Sequence, residues 1–242
     1  MKAKYIDHMG TDDSVANYAR LSFADDAARY TDEQNNQLIR FLARGVSTKD
    51  WDDVRMMVGC GIENPDEFIW RLKTTPCHFA PFAHPHITLR MAAPVSIRTQ
   101  CFKHKIGFTE SEESRRYIKS TPQIYVPDFR AMAPDVKQGS LDDLHPKHEL
   151  MREAYVAHTT EAVEIYERMI ADGLAPEVAR FLLPQGAIVN WVWTGSLYAY
   201  ANFYIQRSDS HAQKEVQELA ELVREIIEPL YPVAWRALTT GK

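Results

Sequence analysis

Two stretches far apart in the chain have the pattern a strand needs. His86–Met91 (HITLRM) alternates apolar and polar residues, and Ala187–Thr194 (AIVNWVWT) is a run of β-branched and aromatic residues. The other regular segments have helical spacing, and no strand–helix–strand rhythm repeats. This excludes a doubly wound parallel sheet and predicts an α+β fold. We expect a single domain over 1–242, with a central, largely antiparallel sheet flanked by long helices.

The helices are delimited by their stop and start signals. Asp12 or Asp13 can cap a helix through Val15, Ala19 and Leu21, and a second runs from Thr31 through Leu38, Ile39 and Leu42 to Gly45. Residues 46–74 read as two further short helices, around Trp51–Met57 and Asp66–Leu72. Pro94 pre-sets the first turn of a helix through Ile97 and Cys101. The polar segment Lys105–Arg116 reads as loop, and Met132–Lys147 as an exposed connection. Helical spacing returns from Leu150 to about Gly173 and from Pro176 to Leu183, where Pro184 ends it. In the last helix, Ser210 and Gln213 have capping-box spacing ahead of the stripe Val216, Leu219, Ala220, Val223, Ile226, Ile227 and Leu230.

A chain of 242 residues can bury a core without staples, and its 11% aromatic content argues against disorder. Its net charge of -5 gives no general hold on a nucleic acid, so any bound anion must be gripped by a few placed cations. Cys60, Cys77 and Cys101 form no disulfide framework, which suits a reducing compartment. No apolar run approaches the roughly 18 residues of a membrane span, and the start reaches acidic residues before any signal-peptide core. A soluble, cytoplasmic protein is expected. His78, His84 and His86 lack a carboxylate or thiolate at ligand spacing on the same element, so no metal is expected.

Two segments carry chemistry. Residues 100–117 (QCFKHKIGFTESEESRRY) crowd cations, carboxylates, hydroxyls and one histidine behind a helix. The cations suit phosphate and the hydroxyls can cradle its oxygens; the plainer alternative is a solvated mixed-charge loop. Residues 193–213 form an aromatic helix running into a polar turn, and Asn202 and Arg207 can face one pocket there beside the next helix N-terminus.

These residues resemble the flavin-dependent thymidylate synthases. The family signature Arg-His-Arg, seven or eight residues, then Ser is met by Lys103-His104-Lys105, eight residues and Ser114, and its tail by Thr109 through Tyr117. The resemblance extends in order over nearly the whole chain. It takes in Ser14–Phe23, His78–His84, Tyr125-Val126-Pro127, Ala179–Pro184 and the run from Asn202 through Arg207, Asp209, Ser210, His211, Ala212 and Gln213 to Glu215; residues 46–74 resemble an insertion.

The resemblance implies reductive methylation of dUMP to dTMP with FAD, NADPH and methylene-tetrahydrofolate, in a homotetramer whose active sites lie between subunits. It implies nucleotide contacts at Gln100, Glu112, Ser114, Arg116, Arg180 and Arg207, with catalytic roles for Arg207, Ser114 and Glu112. Flavin contacts fall on Lys103, His104, Lys105, Asn202, His84 and Ser196. The flavin side departs from the pattern: lysines stand for the arginines at 103 and 105, Ser196 and Tyr198 for an Asn and an Arg, Arg90 for a His, and Ala83 for a Glu.

Two rivals stand beside this reading, a flavin-dependent pyrimidine deoxynucleotide hydroxymethylase and a nucleotide-binding homologue without redox chemistry. Pro76-Cys77-His78 and Gln206-Arg207-Ser208 echo segments of the cysteine-dependent thymidylate synthases, but they are far too widely spaced here, and Cys77 is read as an idle thiol.

Overall fold

The computed structural model describes residues 1–23, 29–44, 77–134 and 139–240. The helices expected at 46–74, the insertion they form, and Cys60 lie outside the described residues. In chain order the elements are β1 (Lys2–Met9), α1 (Asp12–Arg20), α2 (Asp32–Arg44), α3 (Ala80–Ala83), β2 (His86–Pro94), α4 (Val95–Cys101), β3 (Phe108–Glu112), β4 (Arg130–Met132), β5 (Ser140–Leu144), α5 (His148–Ala171), α6 (Pro176–Ala179), β6 (Ile188–Ser196), α7 (Leu197–Arg207), α8 (Lys214–Ile227) and α9 (Pro232–Thr239). They gather into two compact units, one of 1–6, 88–194 and 205–223, the other of 7–87, 195–204 and 224–242.

Four strands form one sheet in the order β1-β2-β6-β3, and β4 pairs antiparallel with β5 in a separate ribbon. The two segments read as strands are the sheet's central pair. Val95 N–H donates to Ala187 O at 3.1 Å at one end of the pair, and Leu197 N–H to Pro85 O at 2.9 Å at the other, so β2 and β6 run antiparallel. The pleat then sorts the side chains. Leu89, Met91 and Ala93 turn inward on β2 and Val189, Trp191 and Trp193 on β6, all buried. On the opposite face the hydroxyls of Thr88 and Thr194 meet at 3.0 Å.

Several boundaries differ from the sequence reading. Lys105–Arg116 is not all loop: Phe108–Glu112 is an edge strand. Its odd positions look unremarkable as sequence, but Phe108 stacks on Trp193 with centroids 4.2 Å apart, and Glu113 N–H donates to Asn190 O at 2.9 Å. The exposed connection after Met132 contains β5, which Arg130–Met132 recruits as a partner. Helix α8 starts after Gln213 rather than around it, so the Ser210–Gln213 capping box does not form, and α8 is not last. Of its stripe, Val216, Leu219, Ala220, Val223 and Ile227 are fully buried, whereas Ile226 is half-buried and Leu230 lies beyond the helix.

In the second unit Thr11, in extended backbone, stands before α1, and its N–H donates to the Ser14 hydroxyl at 3.0 Å. Asp12 is thereby released from capping its own helix. Its carboxylate accepts Val233 N–H at 2.8 Å and Ala234 N–H at 2.9 Å, capping α9. Burial raises the Asp12 pKa, and these two hydrogen bonds oppose the rise.

Candidate functional site

A polar cleft of about 670 Å³ opens in the first unit where β3 ends beside α4 and the 180–189 segment. Glu112, Ser114, Arg116 and Arg180, all expected from the sequence, line it, and so does Arg98, which was not expected. The chain turns tightly after β3, with Ser114 O accepting from Tyr117 N–H at 3.0 Å and Ile118 N–H at 3.3 Å. The Ser114 hydroxyl oxygen accepts Arg116 Nε–H at 3.2 Å, holding that guanidinium at the rim. Arg180 sits in a 3-10 turn and donates its Nε–H to Glu177 O at 3.3 Å.

The two adjacent glutamates part company. Glu113 Oε1 accepts both the backbone N–H (3.1 Å) and the side-chain amide (3.0 Å) of Asn190, which fastens it to β6. Glu112, on the other pleat face, pairs through Oε1 with Arg98 Nη2 at 3.2 Å. Burial raises the Glu112 pKa, the Arg98 charge opposes this, and Glu113 adds to it.

Gln100 and Arg207 do not line this cleft. They form a second polar group with His104. Arg207 donates Nε–H to His104 Nε2 at 2.9 Å and Nη2–H to Gln100 O at 3.2 Å. Burial, and then the Arg207 charge, push the His104 pKa down to about 4, so the imidazole is neutral at pH 7. The Gln100 side chain donates to Gln213 Oε1 at 2.7 Å, and Gln213 donates in turn to Glu215 Oε2 at 2.8 Å. Glu215 closes the series on Arg130, and both partners of that ion pair are buried. Lys103 is exposed, while Lys105 pairs with Glu110.

The remaining expected flavin contacts lie in the second unit. His84 is exposed, its ring 4.9 Å from that of Tyr18. Ser196 is buried, its hydroxyl accepting Ala199 N–H at 3.2 Å at the start of α7. Asn202 is half-buried further along α7. Asn202 and Arg207 are five positions apart on that helix, roughly 140° around its axis, so they do not share a face. The same unit holds an apolar cavity of about 740 Å³ whose lining includes Tyr30, Leu38, Phe41, Cys77, His78 and Phe79. Burial pushes the Cys77 thiol up to about 11, which leaves almost no thiolate at pH 7. The substituted Tyr198 packs its ring 5.6 Å from Phe79, and Arg90 is exposed on β2.

Sequence reasoning missed Arg98, Glu113 and Arg130. Arg98 had one local signal, its spacing of four from Phe102 just past the end of α4, since the guanidinium lies over that ring at 5.1 Å. Arg130 had none, because its partner Glu215 is 85 residues away. Among the described residues, no three His, Cys, Asp or Glu side chains cluster as metal ligands, and no helix is long and apolar enough to cross a membrane.

Comparison with known proteins adds a family. The sequence model described as thymidylate synthase complementing protein, Thy1, matches residues 4–233. A flavin-dependent thymidylate synthase from Thermosipho africanus is 30% identical over 189 residues, covering 76% of this chain and 82% of that protein. One from Treponema denticola is 26% identical over 237 residues, covering 96% and 76%. Among solved structures, a UMP/dUMP methylase, PolB from Streptomyces cacaoi bound with 5-Br dUMP, is similar with a TM-score of 0.77 and 25% identity over 99% of this chain and 94% of that one.

Proposed function

Because the chain belongs to the Thy1 family of thymidylate synthase complementing proteins, we propose that it is a flavin-dependent thymidylate synthase that methylates dUMP to dTMP. The observation that carries this reading is the cleft, where Glu112, Ser114, Arg116 and Arg180 line one space of about 670 Å³. Two guanidiniums and a hydroxyl suit a nucleotide phosphate, because the guanidinium fork binds phosphate oxygens in pairs. Glu112 supplies an acceptor for a ribose hydroxyl or a base N–H.

Arg207 and Gln100 complete the nucleotide contacts in this reading, Arg207 at the base, where a fixed positive charge stabilises negative charge developing on the pyrimidine. With Arg207 taking charge of the ring, Ser114 serves as a hydrogen-bonding group rather than a nucleophile. The family match over 4–233 supports treating the chain as one functional domain.

The cofactor is a flavin, and we assign it as FAD, with methylene-tetrahydrofolate as one-carbon donor and NADPH as reductant. The donor set fits a dinucleotide. In the first unit Lys103 brings positive charge suited to a pyrophosphate, Lys105 adds to it where Glu110 does not take it up, and the neutral His104 offers hydrogen bonding without adding charge. His84, Ser196 and Asn202, in the second unit, are assigned as further flavin contacts on the family resemblance alone. When bound and reduced, the flavin supplies the hydride that completes the methyl group, so no cysteine nucleophile is needed; the raised thiol pKa of Cys77 is consistent with that.

The exposed apolar residues Met132, Phe181 and Leu150 support assembly, which we assign as a cytoplasmic homotetramer with active sites between subunits. The test is to supply purified protein with FAD, dUMP, methylene-tetrahydrofolate and NADPH and to weigh the product. A mass gain of one methylene unit with hydride from NADPH is expected. A hydroxymethylated product would assign the enzyme to a sibling reaction, and failure to bind FAD would remove the redox reading altogether.

A further inference from the structure

We propose that Arg98 is a positioning residue for Glu112: it holds Oε1 of the carboxylate so that Oε2 stays an ionised acceptor facing the nucleotide cleft. The inference rests on the nucleotide reading of that cleft and deepens it by adding a residue outside the signature segments. Four observations carry it. Both side chains line the cleft. The ion pair brings Arg98 Nη2 to 3.2 Å from Glu112 Oε1, and Oε2 accepts no hydrogen bond from the described residues. Each side chain keeps only about a quarter of its surface exposed, 23% for Arg98 and 25% for Glu112, so solvent screens the pair weakly.

The guanidinium is also held from behind. It lies 5.1 Å over the Phe102 ring, and Phe102 meets Trp191 edge-on at 5.8 Å, which ties Arg98 to the middle of the buried face of β6. A cation fixed by its own helix and by the sheet does not need Glu112 for its orientation. Glu112 does need the cation, since burial and the neighbouring Glu113 both favour its neutral form. The other charged groups lining this cleft are Glu113, whose carboxylate is held by Asn190, and Arg115, Arg116 and Arg180. Arg98 Nε is buried and makes no hydrogen bond to the described residues.

The test uses the whole protein with Arg98→Met, Arg98→Lys, Glu112→Gln and the Arg98→Met/Glu112→Gln pair. The Glu112 carboxyl is titrated by carbon-13 NMR without ligand, and dUMP affinity is measured by calorimetry between pH 6 and pH 9. In Arg98→Met the Glu112 pKa should rise by about one unit, the lower end of what an opposite charge at this distance contributes. The dUMP affinity should fall, by about tenfold at most and by more at pH 6 than at pH 9, Arg98→Lys should restore most of it, and the double variant should be no weaker than Glu112→Gln. An unmoved Glu112 titration, or an affinity loss equal at every pH, would overturn the positioning role. If the parent protein binds no dUMP, the nucleotide reading fails, and the ligand-free titration still decides whether Arg98 governs Glu112.

Discussion

Arg207 donates Nε–H to Nε2 of His104 at 2.9 Å, across 103 residues of sequence. The contact makes Nε2 an acceptor, so the ring is neutral and carries its proton on Nδ1. Its pKa, pushed down to about 4 by burial and by Arg207, keeps it so through the physiological range. A proton-detected titration of His104 should show no protonation above about pH 5, and Arg207→Met should move the midpoint back towards the ordinary histidine value near 6.5.

The same depression sets a stability dependence on acid. The unfolded chain takes up the His104 proton below about 6.5 while the folded chain refuses it until about 4, so the contribution is complete above 6.5 and is lost as pH falls through that window. The ring is only partly buried, and solvent screening reduces the effect to about 1–2 kcal/mol. Urea unfolding of the parent and of His104→Asn at pH 7.5 and pH 4.5 measures it. The expected result is a larger loss for the parent between the two pH values.

Arg207→Ala should be the most damaging single change to activity. Removing a charged hydrogen-bonding group costs on the order of 1.5–3 kcal/mol in dUMP binding, and losing a contact that strengthens as charge develops costs a further factor of roughly 10² in rate. Lys103→Ala should instead lower flavin occupancy. Nucleotide affinity, flavin content and single-turnover flavin oxidation separate the two; an Arg207→Ala protein that binds dUMP and oxidises flavin like the parent would mean that the role belongs elsewhere.

Arg130 and Glu215 form a buried pair, with side chains 9% and 5% exposed. Arg130→Met leaves the Glu215 charge uncompensated and should cost about 3–5 kcal/mol, while Arg130→Met with Glu215→Leu should recover most of that. Chemical denaturation of the three proteins is the measurement. Glu215 also receives Gln213, which receives Gln100, so the single variant should weaken nucleotide binding as well.

Gly186 has no room for a methyl group. A Cβ there would lie 2.0 Å from the Tyr155 hydroxyl, which itself donates to Tyr125 O at 3.0 Å. Gly186→Ala should destabilise the fold by about 1–3 kcal/mol through overpacking, and it should loosen the neighbouring Gln185 and Ala187 on the cleft wall. Thermal unfolding with and without dUMP checks both effects.

The sequence by itself determined which faces are apolar and which segments carry charge. Alternation in HITLRM and the stripe of α8 are local periodicities, and each becomes the buried face it predicts because a side chain's direction within one element depends only on that element's geometry. The crowding of cations, hydroxyls and carboxylates in 100–117, and the order of the family-like segments, were legible for the same reason. Tertiary structure alone decided the partners. Phe108–Glu112 is a strand because Trp193 and Asn190 lie beside it, Asp12 caps α9 rather than α1, and Glu112 faces Arg98 while its neighbour Glu113 is fastened to β6. The charge on Arg130 meets Glu215 across 85 residues, and no local spacing encodes such a meeting. Long-range pairs follow from how the strands are ordered and which pleat face each residue takes, and a one-residue change of register would exchange the partners of Glu112 and Glu113.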